Sequence, residues 1–416
     1  MESFRIEGGT RLSGAVRVDG AKNAALPACI AALLTDEPVV LHRVPQLRDV
    51  STILYTLGAL GCRVVRHGEH VSIAAGERLS EEADAYSVRQ MRASFLVLAP
   101  LVARLGRAVV PLPGGCAIGL RPVDLHLDGL RALGARIVER DGVVVVAAKR
   151  LVGSRVVLPY PSVGATEQIL MAATLATGET VIENGAIEPE VEDLVTLLGR
   201  MGSEIEIDGR TIRVRGCTQL RGAEHTLIPD RMEAGTFLLA GAISGGDVTV
   251  EGIRPDDLAS FLRPLESTGA KIVATADSIA VRGPERPSPI GISTGPHPGF
   301  PTDLHPPFAA YLARSTGTSR LTENVFEDRF VYVDALCNMG ARIARSGRTL
   351  TITGVERLRG GSAAATDIRA GAALVLAGLA AEGQSMVTQL EHVDRGYAGL
   401  DEKLRSLGAK IERYAD

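Results

Sequence analysis

Cys116 lies in Pro113-Gly114-Gly115-Cys116-Ala117-Ile118-Gly119-Leu120-Arg121-Pro122, a thiol among glycines and close to a guanidinium. Glycine lets backbone amides come close to a ligand, and Arg121 with those amides favours a thiolate or a bound anion. Pro122 suits the first turn of a helix, and Val123, Leu127, Leu130 and Leu133 follow near helical spacing. The loop therefore feeds a helix N-terminus, a natural anion site; taken alone, it is equally a surface loop with an incidental cysteine. Four further cations, Lys22, Arg92, Arg231 and Arg369, open apolar runs. Lys and Arg are poor N-caps and belong at the other end of a helix, so these four point to anionic ligands. Asn23 stands beside Lys22 at the first of these openings, and Ser162-Val163-Gly164 and Asp303 mark two more of the same kind. Asp303 ends a stiff stretch, Pro284 to Pro307, that holds eight of the 21 prolines. It is either a plain N-cap or, among cations, an ionised carboxylate that takes a proton from a hydroxyl. Arg395, in Asp394-Arg395-Gly396-Tyr397, is expected at the start of the final helix, as an anion ligand or as a surface pair with Asp394 or Asp401. His126 and His305 read as packing or orienting residues. A thiol, a carboxylate and several cations suit acid–base chemistry on an anionic substrate, with no metal or cofactor required.

Other chemistries lack their marks. There is no GxxxxGK[ST] loop, no GxGxxG after a strand, no HExxH, no EF-hand pattern and no GxSxG. The net charge of -4, the absence of Trp and 4% aromatic residues argue against nucleic acid as a partner. Five cysteines without a CxxC suit a reducing compartment and no structural zinc. The apolar runs Ala24 to Leu34 and Ala370 to Ala381 are too short for a bilayer, and the first residues do not resemble a signal peptide. The expectation is a cytoplasmic protein without membrane contact and with no obligate protein partner.

The elements that must position these residues repeat. Leu60-Gly61-Cys62-Arg63-Val64 recurs in kind around Gly134, Gly202, Gly269, Gly340 and Gly408, spaced 67 to 73 residues apart, which makes six copies of one unit. Before each glycine an amphipathic helix ends, as with Val50, Ile53, Leu54 and Leu57, so the glycine reads as its C-cap. After it come a strand, a polar turn such as Asp141-Gly142, and a second strand. The apolar helices opened by the residues above must be buried. They are expected inside, with the amphipathic helices outside and β-sheet as a third layer. The sixth copy stops without its return strand, and Phe4-Arg5-Ile6-Glu7-Gly8 resembles the return strands of other copies, so the first strand is expected to complete the last copy. Six copies split economically into two domains of three: residues 21–229, and residues 230–416 with 1–20. The helix openings of both are expected to meet at a cleft.

These segments closely resemble the enolpyruvyl transferase family, in its branch acting on UDP-N-acetylglucosamine. The resemblance covers the whole chain. It is carried by Gly20-Ala21-Lys22-Asn23-Ala24-Ala25-Leu26-Pro27, Met91-Arg92-Ala93-Ser94, the cysteine loop, Arg121-Pro122-Val123-Asp124-Leu125-His126, Ser162-Val163-Gly164-Ala165-Thr166, Pro229-Asp230-Arg231, Pro298-Gly299-Phe300-Pro301-Thr302-Asp303, Asn324-Val325-Phe326-Glu327 and Asp394-Arg395-Gly396-Tyr397. It implies a two-domain inside-out α/β barrel of six units. It also implies transfer of the enolpyruvyl group of phosphoenolpyruvate to the 3-hydroxyl of UDP-N-acetylglucosamine, with release of phosphate, in peptidoglycan precursor synthesis. By resemblance Cys116 is the acid and Asp303 takes the hydroxyl proton. Lys22, Arg121 and Arg395 match phosphate contacts, and Arg369 with Arg395 the carboxylate end. Asn23, Asp303 and Val325 match sugar contacts, the segment Arg121-Pro122-Val123-Asp124-Leu125 the uridine side, and Ser162, Val163 and Gly164 the diphosphate. Arg92 matches a residue linked to ordering of the cysteine loop. The cysteine implies sensitivity to fosfomycin. His305-Pro306-Pro307 departs from a Gln-containing stretch. A paralogue with another acceptor and a catalytically silent binding protein are the competing readings.

Overall fold

The computed structural model describes residues 2–76, 78–114 and 123–415. The chain divides into two compact units, one of residues 20–114 and 123–228, the other of residues 2–19 and 229–415.

In the first unit the inner helices are Lys22–Ala31, Leu98–Leu105 and Val163–Thr174, the second entered through the 3-10 turn Arg92–Val97. In the other they are Arg231–Ile243, His305–Leu312 and Ile368–Ala380. Their composition dictates their place: every residue of Arg231–Ile243 is buried, and so is nearly all of Ile368–Ala380. Each large apolar side chain so covered is worth roughly 1.5–3 kcal/mol. The amphipathic helices Arg48–Ala59, Asp124–Ala132 and Pro189–Arg200 bury one face against this interior. Each of the six repeat glycines follows its helix in the left-handed region, with φ from +88° to +106°, where a side chain would be strained.

The repeat's hairpin belongs to a small sheet. In the typical arrangement, as in the order Gly291–Ser293, Thr318–Thr322, Thr349–Thr353, Arg342–Ser346, one edge strand is parallel and the rest are antiparallel. Strand Glu2–Glu7 pairs antiparallel with Lys410–Ala415, Ile6 opposite Ile411, and with Gln384–Thr388. The first strand thus completes the last copy.

The expected third layer is not separate. Strands such as Thr211–Arg215 bury alternate residues and expose the others. The inner helix Arg231–Ile243 touches the strands Asp247–Glu251 and Ser278–Arg282 directly, while Lys22–Ala31 packs on the outer helix Arg48–Ala59. Sheets and amphipathic helices therefore share one outer layer, because both carry a single apolar face. No helix among the described residues is long and apolar enough to cross a membrane.

Candidate active site

In the unit of residues 2–19 and 229–415, Asp303 sits in the 3-10 turn Thr302–Leu304 that leads into His305–Leu312. It caps nothing. Its Oδ1 accepts from Arg329 Nη1 at 2.7 Å, and its Oδ2 accepts from Arg369 Nε and Nη2 at 3.0 and 2.9 Å. Both guanidiniums are buried, whereas the Asp303 side chain keeps a quarter of its surface open. This geometry favours an ionised, partly exposed carboxylate. Burial opposes the charge of Arg369, but Tyr397, Asp303 and Asp230 outweigh it and push its pKa upward. Its guanidinium carbon lies 5.3 Å from the centre of the Tyr397 ring, and the Tyr397 hydroxyl also interacts with it.

Neighbouring ends converge through close backbone approach. A Cβ on Gly235 would lie 2.5 Å from Leu304, so helix Arg231–Ile243 meets the Asp303 turn directly. A Cβ on Gly396 would lie 2.4 Å from Ile368, which seats the Arg395 turn on the start of the helix bearing Arg369. Tyr397 Oη and Thr236 Oγ1 are 2.9 Å apart and tie that turn to the helix opened by Arg231. The segments that carry Arg231, Asp303, Arg369 and Arg395 are thus neighbours. Capping is done by their neighbours: Asp230 Oδ1 accepts from the amides of Met232 and Glu233, and Asp367 Oδ1 from those of Arg369 and Ala370. Arg395 is not at a helix start. It lies in a turn after the short helix Leu390–Val393, because Gly399, with φ +56°, must precede the helix Leu400–Ser406. Asp394 and Asp401 are both bonded by Arg413.

Buried Glu323 organises the Val325 segment. Its Oε1 accepts from the amides of Val325 and Phe326 at 2.7 and 3.0 Å and from Thr294 Oγ1, while Oε2 accepts from Thr302 Oγ1 at 2.8 Å. The half-buried Val325 is thereby tied to the residue before Asp303. His305 is fully buried, with Nδ1 3.1 Å from Tyr332 Oη. Burial, helped by Arg329, holds its pKa down at about 3, so the ring is neutral.

In the unit of residues 20–228, Lys22 is the buried first residue of its helix, with Nζ 3.4 Å from Asp49 Oδ2, and Asn23 beside it is exposed. Ser162 caps Val163–Thr174, its Oγ accepting from Ala165 N at 3.4 Å. A Cβ on Gly164 would lie 2.9 Å from the His126 ring, so the 123–126 segment is pressed on the Ser162 helix start. Val123 is the N-cap residue of Asp124–Ala132, with Asp124 exposed and Leu125 half-buried. Half-buried Arg92 opens a 3-10 turn that touches both neighbouring inner helices. Cys116, Arg121 and Pro122 lie outside the described residues. Of the other thiols, burial pushes Cys29 up to about 12 and Cys62 to about 11, and raises Cys217 as well. None of those three is an activated thiol.

The pattern of the EPSP synthase (3-phosphoshikimate 1-carboxyvinyltransferase) family matches residues 6–404. The chain belongs to this family. Along its full length it is 50% identical over 419 residues to "UDP-N-acetylglucosamine 1-carboxyvinyltransferase 2" of Carboxydothermus hydrogenoformans, covering all of that protein. It is 48% identical over 421 residues to the UDP-N-acetylglucosamine 1-carboxyvinyltransferase of Koribacter versatilis, covering 97% of it. Among solved structures it is similar to the enolpyruvyl transferase NikO of Streptomyces tendae, with a TM-score of 0.91 at 27% identity over 100% of this chain and 99% of that one.

Arg329 and Asp49 were not singled out from the sequence. Arg329 closes the run Asn324-Val325-Phe326-Glu327-Asp328-Arg329, and only its position downstream of a matched motif hinted at it.

Proposed function

We propose that the chain transfers the enolpyruvyl group of phosphoenolpyruvate to the 3-hydroxyl of UDP-N-acetylglucosamine and releases phosphate, the first committed step of peptidoglycan precursor synthesis. The observation that carries this reading is the partly exposed Asp303 carboxylate, held between two buried guanidiniums, in a chain half identical to relatives of that name.

The chemistry assigns each group a task. A proton from Cys116 goes to the methylene carbon of phosphoenolpyruvate, leaving C2 cation-like. The sugar hydroxyl adds to C2 as Asp303 takes its proton. The C2–O bond to phosphate then breaks with its electron pair, and loss of a proton from the new methyl group restores the double bond. Lys22, Arg121 and Arg395 hold the phosphate, and Arg369 with Arg395 the carboxylate. Asn23 and Val325 bound the sugar. Ser162, Val163 and Gly164 present amides to the diphosphate at a helix start, and Arg121, Pro122, Val123, Asp124 and Leu125 form the uridine side. Arg92 supports the cysteine loop, and Arg231 adds positive charge. Residues 21–229 and the remainder act as the two enolpyruvyl transferase domains, and Cys116 is the residue that fosfomycin alkylates.

Phosphate release from both substrates, followed for wild type beside Cys116→Ser and Asp303→Ala, tests the assignment. Release by wild type and a large kcat loss in both variants are expected. Wild-type rates in either variant would remove that residue from the reaction.

A further inference from the structure

At the far ends of the three inner helices in the unit of residues 20–228 lies an open groove. Its main cavity, of about 610 Å3, is lined by Leu34, Leu105 and Leu175, each at or just past the last turn of one inner helix. A second hollow of about 570 Å3 shares Leu105, Gly106, Ala148 and Lys149 with the first and extends it to Arg136.

The charge here is one-sided. Among the described residues, Arg104, Arg136, Lys149 and Arg150 line the two hollows against the single carboxylate Asp36. Arg104 is already committed: it donates to the carbonyls of Leu33 at 2.9 Å and Thr35 at 3.2 Å, and pairs with Asp36. It thereby answers the partial negative charge of a helix end. Glu37, the next carboxylate along, is turned to the amide of Gly222. Arg136, Lys149 and Arg150 are exposed and have no ion-pair partner among the described residues, in a chain whose net charge is -4. The other unit repeats the cap: Arg314 donates to the Ile243 carbonyl, with Arg286 and Arg357 nearby and Arg357 paired with Glu382. Thr218 and Gln219 add polar groups to the groove wall.

The geometry points to a second anion site, separate from the catalytic residues, that binds a small molecule carrying two or more phosphate groups. The volumes are those of small-molecule sites, Lys149 lines both hollows, and guanidinium and ammonium groups suit phosphate oxygens.

Inorganic pyrophosphate, titrated calorimetrically into the full chain at low salt, tests this. The variant R136S/K149S/R150S, which alters exposed residues only, is expected to bind about tenfold more weakly or worse, with unchanged thermal unfolding and unchanged enolpyruvyl transfer. K22M, which removes a catalytic cation, is expected to leave the groove's binding intact. Wild-type affinity in the triple variant, loss of binding in K22M, or no wild-type binding at millimolar pyrophosphate would each overturn the proposal.

Discussion

Replacing His305 with glutamine should remove a large part of the acid sensitivity of the fold. Burial, with Arg329 nearby, lowers this imidazole from its ordinary 6.5 to about 3. The native state therefore binds fewer protons than the unfolded chain throughout that window. Stability from this group is complete above pH 6.5 and is lost as pH falls from 6.5 towards 3. At about 1.4 kcal/mol per pH unit, the loss between pH 7 and pH 5 comes to about 2 kcal/mol. Urea unfolding of wild type and His305→Gln at both pH values gives the difference directly: wild type should lose about 2 kcal/mol more than the variant on acidification. Because the difference is taken within each protein, any fixed cost of the substitution cancels. Ring-labelled histidine NMR provides a second readout, with the His305 signal unmoved between pH 8 and pH 5. Equal acid sensitivity in the two proteins, or a ring that titrates near its ordinary value, would refute the burial reasoning.

Arg329→Met deletes the 2.7 Å bond to Asp303 and the 3.0 Å bond to Thr302 but leaves Arg369 on Asp303. Steady-state kinetics should show kcat down by about 10- to 100-fold and KM for phosphoenolpyruvate little changed, with Arg329→Lys recovering part of the loss. Gly396→Val places carbon 2.4 Å or closer to Ile368, so the Arg395 turn must lift from the Arg369 helix. KM for phosphoenolpyruvate should rise while that for the nucleotide sugar stays near wild type. Native alkylation with iodoacetamide, mapped by peptide mass spectrometry, should leave buried Cys29 and Cys62 unmodified and modify Cys116 first, a reaction suppressed by fosfomycin.

The repeat was legible because its landmark is local. A glycine after an amphipathic helix and before a hairpin needs φ above zero, and all six occupy that region. The return of the first strand to the last copy was legible too, since Phe4 and Ile6 carry the same alternation as other return strands. What escaped depended on tertiary placement. Asp303 read as a cap or a base because its sequence position fits both, and only Arg329 and Arg369, 26 and 66 residues away, distinguish them. Arg395 reads as a helix start because its run precedes the final helix, whereas a separate turn ending at Gly399 intervenes and Asp394 is bonded by Arg413. The cationic openings hid the carboxylates just before them, Asp230 and Asp367, which do the capping. Sheets and outer helices were set in separate layers because periodicity reports one buried face but not which neighbour covers it.

The most direct test is the mass of the product when the chain is incubated with phosphoenolpyruvate and offered UDP-N-acetylglucosamine and shikimate 3-phosphate together. The account predicts an enolpyruvyl ether on UDP-N-acetylglucosamine alone, with one phosphate released per product. Enolpyruvyl shikimate 3-phosphate as the product, or neither product despite bound UDP-N-acetylglucosamine, would contradict it.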